Sequence, residues 1–113
     1  MANPSKQKGT TYETGAVRFF NDKGIKAERL AEGGCYDEGD VRLSSWPWEF
    51  ALECKNRKRI EMAKWFGEIE AKAERKGRTP ALLIHRDGCG EKRFGKGYVV
   101  IDADTFAELL KGE

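Results

Sequence analysis

Between residues 40 and 55 the chain reads DVRLSSWPWEFALECK, with apolar and polar residues alternating on both sides of Ser45-Trp46-Pro47-Trp48. A period of two marks strands with chemically different faces. This stretch therefore predicts two strands, about 40–44 and 49–55, closed by a turn centred on Trp46-Pro47. Pairing Ser44 with Glu49 continues as Leu43 with Phe50, Arg42 with Ala51, Val41 with Leu52, and Asp40 with Glu53. In that register Val41, Leu43, Phe50, Leu52 and Cys54 share one wholly apolar face, and Asp40, Arg42, Glu49, Ala51, Glu53 and Lys55 share the other. A slip of one residue would mix the faces, so the hydrophobic pattern supports this pairing.

The polar face has a chemical consequence. Directly opposed, Asp40 and Glu53 would have Cβ atoms ~4.5–5.5 Å apart, and like charges so placed destabilise a hairpin. A divalent cation held by both carboxylates removes that repulsion, and Mg²⁺ commonly binds through one or two carboxylates. Lys55, two residues beyond Glu53, projects to the same face, where it can hold a water or a phosphate oxygen beside the metal. The competing reading is a solvent-exposed face of mixed charge, with Arg42 and Lys55 neutralising the acids. Glu13 carries two readings as well. Thr10-Thr11-Tyr12-Glu13 fits a capping box, and Glu13 also lies beside an apolar stripe from which it can reach toward the metal as a third carboxylate.

The remaining elements surround the hairpin. Residues 1–8 read as a flexible basic tail and residues 9–113 as one domain. A first helix is expected from near Thr10, with Tyr12, Ala16, Phe19 and Phe20 on one side and Gly24 at its end. A short strand, 26–30, precedes the hairpin. A second helix, 60–76, presents Met62, Trp65, Phe66, Ile69 and Ala73. Ala81–Ile84 reads as a buried strand, Asp87-Gly88-Cys89-Gly90 as a turn, Tyr98–Asp102 as a strand, and 104–111 as a helix capped by Asp104. The sum is a mixed α/β domain. Trp65 and Phe66 suit a core or an interface equally, whereas Trp46 and Trp48, beside the turn, suit an interface or a DNA-facing surface.

Composition narrows the function. The 113 residues, 39% hydrophobic and 35% charged, fit one compact core. No apolar run approaches the ~20 residues of a membrane span. MANPSKQKGT lacks the apolar stretch of a secretory signal, so a cytoplasmic protein is expected. Three cysteines, Cys35, Cys54 and Cys89, form an odd set without a CxxC pair, which argues against a disulfide framework. His85 is the single histidine. It follows an apolar run and reads as a structural residue at a strand end, which leaves a zinc or redox domain as a distant third reading. The net charge of +2 hides a cancellation: residues 1–27 carry +3, 28–53 carry −5, 55–78 carry +5 and 79–113 carry −1. An acidic centre between basic flanks suits carboxylates that hold a metal among phosphate-binding side chains.

These residues resemble the nuclease superfamily marked by Asp…(Asp/Glu)-x-Lys, and within it the archaeal-type Holliday junction resolvases, including versions carried by phages. The matching elements are Lys8-Gly9-x-x-x-Glu13, Gly39-Asp40-Val41 and Glu53-Cys54-Lys55, followed by the basic run Asn56-Arg57-Lys58-Arg59 and a long helix. Gly39 stands where the superfamily's motif has proline. The resemblance spans roughly residues 8–111. It implies a restriction-endonuclease-like fold, a mixed central β-sheet flanked by helices.

It implies chemistry too. Asp40 and Glu53 would bind Mg²⁺, or Mn²⁺ in its place, with the main-chain carbonyl of Cys54, and Glu13 would complete the site directly or through water. Lys55 would orient the attacking water. Lys6, Lys8, Arg18, Arg57, Lys58, Arg59 and Lys64 are the candidate DNA contacts. The substrate implied is branched double-stranded DNA, cut symmetrically by a homodimer in the cytoplasm (the host's, if the source is viral). Alternatives are a nuclease of the same superfamily acting on linear, nicked or flapped DNA, and a non-catalytic nucleic-acid-binding module.

Overall fold

The computed structural model describes residues 4–29 and 41–112, with side chains described from residue 11 onward. Helix α1 (Pro4–Asp22) leads into β1 (Lys26–Arg29), β2 (Val41–Ser45) and β3 (Trp48–Lys55). Helix α2 (Met62–Lys76) then crosses to β4 (Thr79–Ile84), and a 3-10 turn (Glu91–Lys96) precedes β5 (Tyr98–Val100) and α3 (Ala103–Lys111). The five strands form one mixed sheet in the order β1-β2-β3-β4-β5. Among the described strands only β3 and β4 pair in parallel, which is why a helix must connect them: parallel neighbours cannot be joined by a tight turn.

The hairpin has the register expected from its alternation: Val41 opposite Leu52, Arg42 opposite Ala51, Leu43 opposite Phe50 and Ser44 opposite Glu49. The expected Asp40–Glu53 pair lies outside the described residues because Asp40 does, as does Cys35. One face of the sheet buries Val41, Leu52, Cys54, Ala81 and Leu83 against Tyr12 and Ala16 of α1. The other buries Ala51, Leu82 and Ile84 against Trp65, Ile69 and Ala73 of α2. Each fully buried Leu or Ile contributes on the order of 1.5–3 kcal/mol, so both helices are held by their apolar stripes. Trp65, only 4% exposed, therefore belongs to the core, with Phe66 packed half-buried beside it.

Three boundaries differ from expectation for local reasons. Helix α1 starts at Pro4, so residues 4–8, expected as tail, are helical. The polar turns before Thr10 carry no apolar stripe to announce the helix. Glu13 is therefore mid-helix and the capping-box reading of it fails. The cap of α3 is Asp102, not Asp104: β5 ends at Val100, and Asp102 Oδ1 accepts a 2.8 Å hydrogen bond from the Thr105 N–H. The Glu91–Lys96 turn was not anticipated, and it brings Phe94 onto Tyr12 with ring centroids 5.0 Å apart. At the end of α2, Gly77 takes φ +65°, which lets its N–H and the next close on the Ala73 and Glu74 carbonyls.

Candidate functional site

Strand β3 ends in Glu53-Cys54-Lys55, and alternation along it separates three chemistries. Cys54 turns into the apolar cluster under α1. Glu53 and Lys55 turn toward α2, as the hairpin pattern requires. The mixed-charge, solvent-exposed reading of that face does not hold at Glu53, which is 5% exposed. Its Oε1 lies 3.6 Å from Lys55 Nζ and its Oε2 lies 3.4 Å from Lys72 Nζ. A buried carboxylate needs such partners, because an uncompensated charge there would cost several kcal/mol (about 3–5 when a pair is broken).

Lys55 is fixed from three sides. Besides Glu53, its ammonium sits over the Trp65 ring, 5.6 Å from the centroid, a cation–π contact from the core of α2. Its carbonyl accepts a 2.9 Å hydrogen bond from the His85 N–H, tying β3 to the end of β4. His85 has the structural role expected of it: a ring nitrogen lies 2.9 Å from the Cys89 carbonyl and the ring meets Tyr12 edge-on at 5.4 Å. Tyr12 is 5% exposed, and its hydroxyl has no hydrogen-bond partner among the described residues. Burial, then the nearby Cys54 and Cys89, push the phenol well above its ordinary pKa, so it stays protonated. Gly97 fits closely here, since a Cβ would stand 3.0 Å from the Tyr12 hydroxyl and 3.1 Å from the Ile84 carbonyl oxygen, a tight approach to both.

Beyond Lys55 the surface opens into a cavity of about 400 Å³ lined by Lys55, Arg57, Lys58, Arg59 and Lys64, with Glu61, Glu68 and Trp65. Five of the expected cationic positions thus share one concave surface that begins at the Glu53-x-Lys55 strand end. The other expected DNA contacts do not join it in the described structure. Arg18 pairs with Glu91 at 3.3 Å, both well exposed, in a separate depression beside Phe94. Lys6 and Lys8 lie in α1, and their side chains are outside the described residues. Trp46 projects 95% exposed from the hairpin tip, while Trp48 stacks on Phe50 at 5.5 Å.

Glu13, the candidate third carboxylate, is 3% exposed, and its Oε2 accepts a 2.8 Å hydrogen bond from Arg29 Nε at the end of β1. Among the described residues Arg42 has no ion pair with Glu53. It pairs instead with Glu28, its cross-strand neighbour, at 3.3 Å. Lys72 and Arg29 are the residues sequence reasoning missed. Lys72 had a signal, lying beside the buried Ile69 and Ala73 rather than on the outer face of α2. Arg29 had none.

Two carboxylates are therefore buried, Glu13 on α1 and Glu53 on β3. The ion pairs described for them share no cation. Among the described residues no three His, Cys, Asp or Glu side chains gather as a metal cluster. Glu53 still suits a hard divalent ion, since Mg²⁺ asks for oxygen donors and often only one or two carboxylates. It offers a buried carboxylate held against Lys55, which lines the basic cavity. Among the described residues no helix is long and apolar enough to cross a membrane.

No protein-family model matches the sequence, and no curated protein matches it by sequence. A comparison of folds does find a likeness, to the structure of Archaeoglobus fulgidus Hjc, a Holliday junction resolvase from an archaeal hyperthermophile. The identity is 21% and the TM-score 0.55, over 74% of this chain and 68% of that one. The mixed five-stranded sheet with helices on both faces is thus a fold shared with that structure.

Proposed function

We propose that this chain is a Mg²⁺-dependent, structure-selective endonuclease that resolves four-way DNA junctions by paired, symmetric phosphodiester hydrolysis. The observation that carries the reading is the end of β3, where a buried glutamate pairs with a fixed lysine that lines a basic cavity. The fold likeness to a resolvase supports it.

Glu53, with Asp40 and the Cys54 carbonyl, would hold the ion. When bound, a divalent metal supplies a more acidic water and stabilises charge on the attacked phosphate. Lys55, held by Glu53 and Trp65, orients the attacking water and offsets the charge that develops on phosphate oxygens. Glu13 acts on the site through water or by shaping the α1 side, since Arg29 already occupies one of its oxygens. Arg57, Lys58, Arg59 and Lys64 bind phosphates along the cavity, with Lys6, Lys8 and Arg18 extending the contact from α1. Two symmetric cuts need two sites, so the working form is a homodimer, and branched cellular or viral DNA places it in the cytoplasm. Mn²⁺ can replace Mg²⁺ in such a donor set.

The test uses a labelled immobile four-way junction and a linear duplex of the same sequence, each incubated with protein and Mg²⁺, with Asp40→Asn as control. Paired symmetric nicks in the junction alone are expected. Cleavage of both substrates would keep the metal site and remove junction selectivity, leaving a nuclease for linear, nicked or flapped DNA. Binding without cleavage, in Mn²⁺ as well, would leave a nucleic-acid-binding module.

A further inference from the structure

Lys72 has no place in the chemistry above, yet it makes a close approach to the most buried part of the site. It lies on α2 between Ile69 and Ala73, both fully buried, and its side chain is 26% exposed. A lysine at such a position commonly carries its ammonium outward along the apolar surface to water. Here the ammonium turns inward, to 3.4 Å from Glu53 Oε2, and among the described residues it pairs with Glu53 alone. Unlike Lys55, it does not line the basic cavity.

We propose that Lys72 is the resident counter-ion of Glu53. It holds the carboxylate in place while no metal is bound and gives up Oε2 when a divalent cation takes it. The proposal rests on the metal reading of Glu53 given above. Three features carry it. The two Glu53 oxygens are shared out one to each lysine, so a cation at Oε2 meets Lys72 and not Lys55. The 3.4 Å separation is longer than the ~2.7–2.9 Å of a tight charge-assisted hydrogen bond, so the pairing can be exchanged. The partial exposure of Lys72 gives its flexible stem a path to water. Glu53 is then never left buried and unpaired, and metal affinity in the free protein is set by a competition that Lys72 imposes.

The test is calorimetric titration of Mn²⁺ and Mg²⁺ into the DNA-free protein, comparing wild type, Lys72→Met, Lys72→Arg and Glu53→Gln. Removing the competing charge in Lys72→Met should tighten metal binding about tenfold, a change of roughly 1.4 kcal/mol. Lys72→Arg, which keeps the charge, should bind no more tightly than wild type. Melting without metal should be lower for Lys72→Met than for wild type, and the gap should close at saturating Mn²⁺. If Lys72→Met does not fold without metal, Lys72→Gln, which retains a donor for Oε2, gives the same comparison. Equal or weaker affinity in the neutral variants, with binding lost in Glu53→Gln, would overturn the role of Lys72 and leave the metal site standing. Absence of metal binding in all four proteins would instead remove the metal reading, and this proposal with it.

Discussion

Two glutamates in this molecule are almost equally buried and differ in how they are held. Glu13, 3% exposed, accepts one short bond of 2.8 Å from Arg29. Glu53, 5% exposed, sits between two ammonium groups at 3.4 and 3.6 Å. A guanidinium is a planar donor in a fixed geometry, whereas an ammonium is a compact charge on a flexible stem. The first arrangement pins a helix to a strand. The second holds a carboxylate in place between partners that can be exchanged. Burial by itself therefore does not identify the working carboxylate; the geometry of its partners does.

The largest effect expected separates the two by activity. Glu53→Gln should lower junction cleavage by on the order of 10³-fold or more, since it removes a metal ligand and the anchor of Lys55. It should also lower Tm, because Lys55 and Lys72 would face a neutral amide in a partly dry site. From the hairpin alone the opposite is expected, as removal of a like-charge repulsion with Asp40 would stabilise the fold. At Glu13 the balance inverts. Glu13→Gln and Arg29→Met should each cost about 1–3 kcal/mol of stability by stranding a buried partner, with a smaller loss of cleavage than Glu53→Gln. Equal loss of cleavage in Glu13→Gln and Glu53→Gln, measured on folded protein, would break the contrast and make Glu13 a direct ligand.

A second, smaller difference is expected in DNA binding. Lys55, the partner of Glu53, shares its cavity with Arg57 and Arg59, whereas Arg29 pairs with Glu13. Arg57→Ala with Arg59→Ala should weaken junction binding and reduce the slope of log K against log salt by about two, roughly one for each lost phosphate contact. Arg29→Met should leave that slope unchanged. Titrations of binding at several salt concentrations check both. An unchanged slope in the double variant would take the 57–59 run off the DNA surface.

How much of this was legible beforehand depended on whether the signal was local. The hairpin register could be read because period-two alternation excludes a one-residue slip and the turn at Trp46-Pro47 sets which residues pair. From it followed the placement of Glu53 and Lys55 on one face. The start of α1 could not be read, because its first turns are polar and carry no stripe. Arg29 and Glu13 meet across a sheet edge, and no spacing along the chain announces such a contact. Lys72 was half legible: its helical position puts it beside Ile69 and Ala73, but a lysine at the edge of an apolar stripe reads as solvated. What closes a charge network is tertiary, and only the packing of α2 on β3 revealed it.

A third carboxylate, away from both glutamates, sets the scale of the comparison. Asp102 caps α3 by accepting hydrogen bonds from Thr105, side chain and backbone, and these hold its carboxyl below the usual aspartate range. A carboxyl whose folded value is depressed stabilises fully above its unfolded value, near pH 4 for aspartate. That contribution is lost as pH falls through the lowered folded value. Asp102→Ala should therefore lower Tm slightly at pH 7, by less than either Glu13→Gln or Arg29→Met. The difference from wild type should shrink on acidification below about pH 4. Cleavage and metal binding should not change, because α3 contributes nothing to the cavity at the end of β3. A Tm loss in Asp102→Ala as large as that in Glu13→Gln would mean that the buried Arg29–Glu13 pair is worth no more than an exposed cap, and the structural role given to Glu13 would fail.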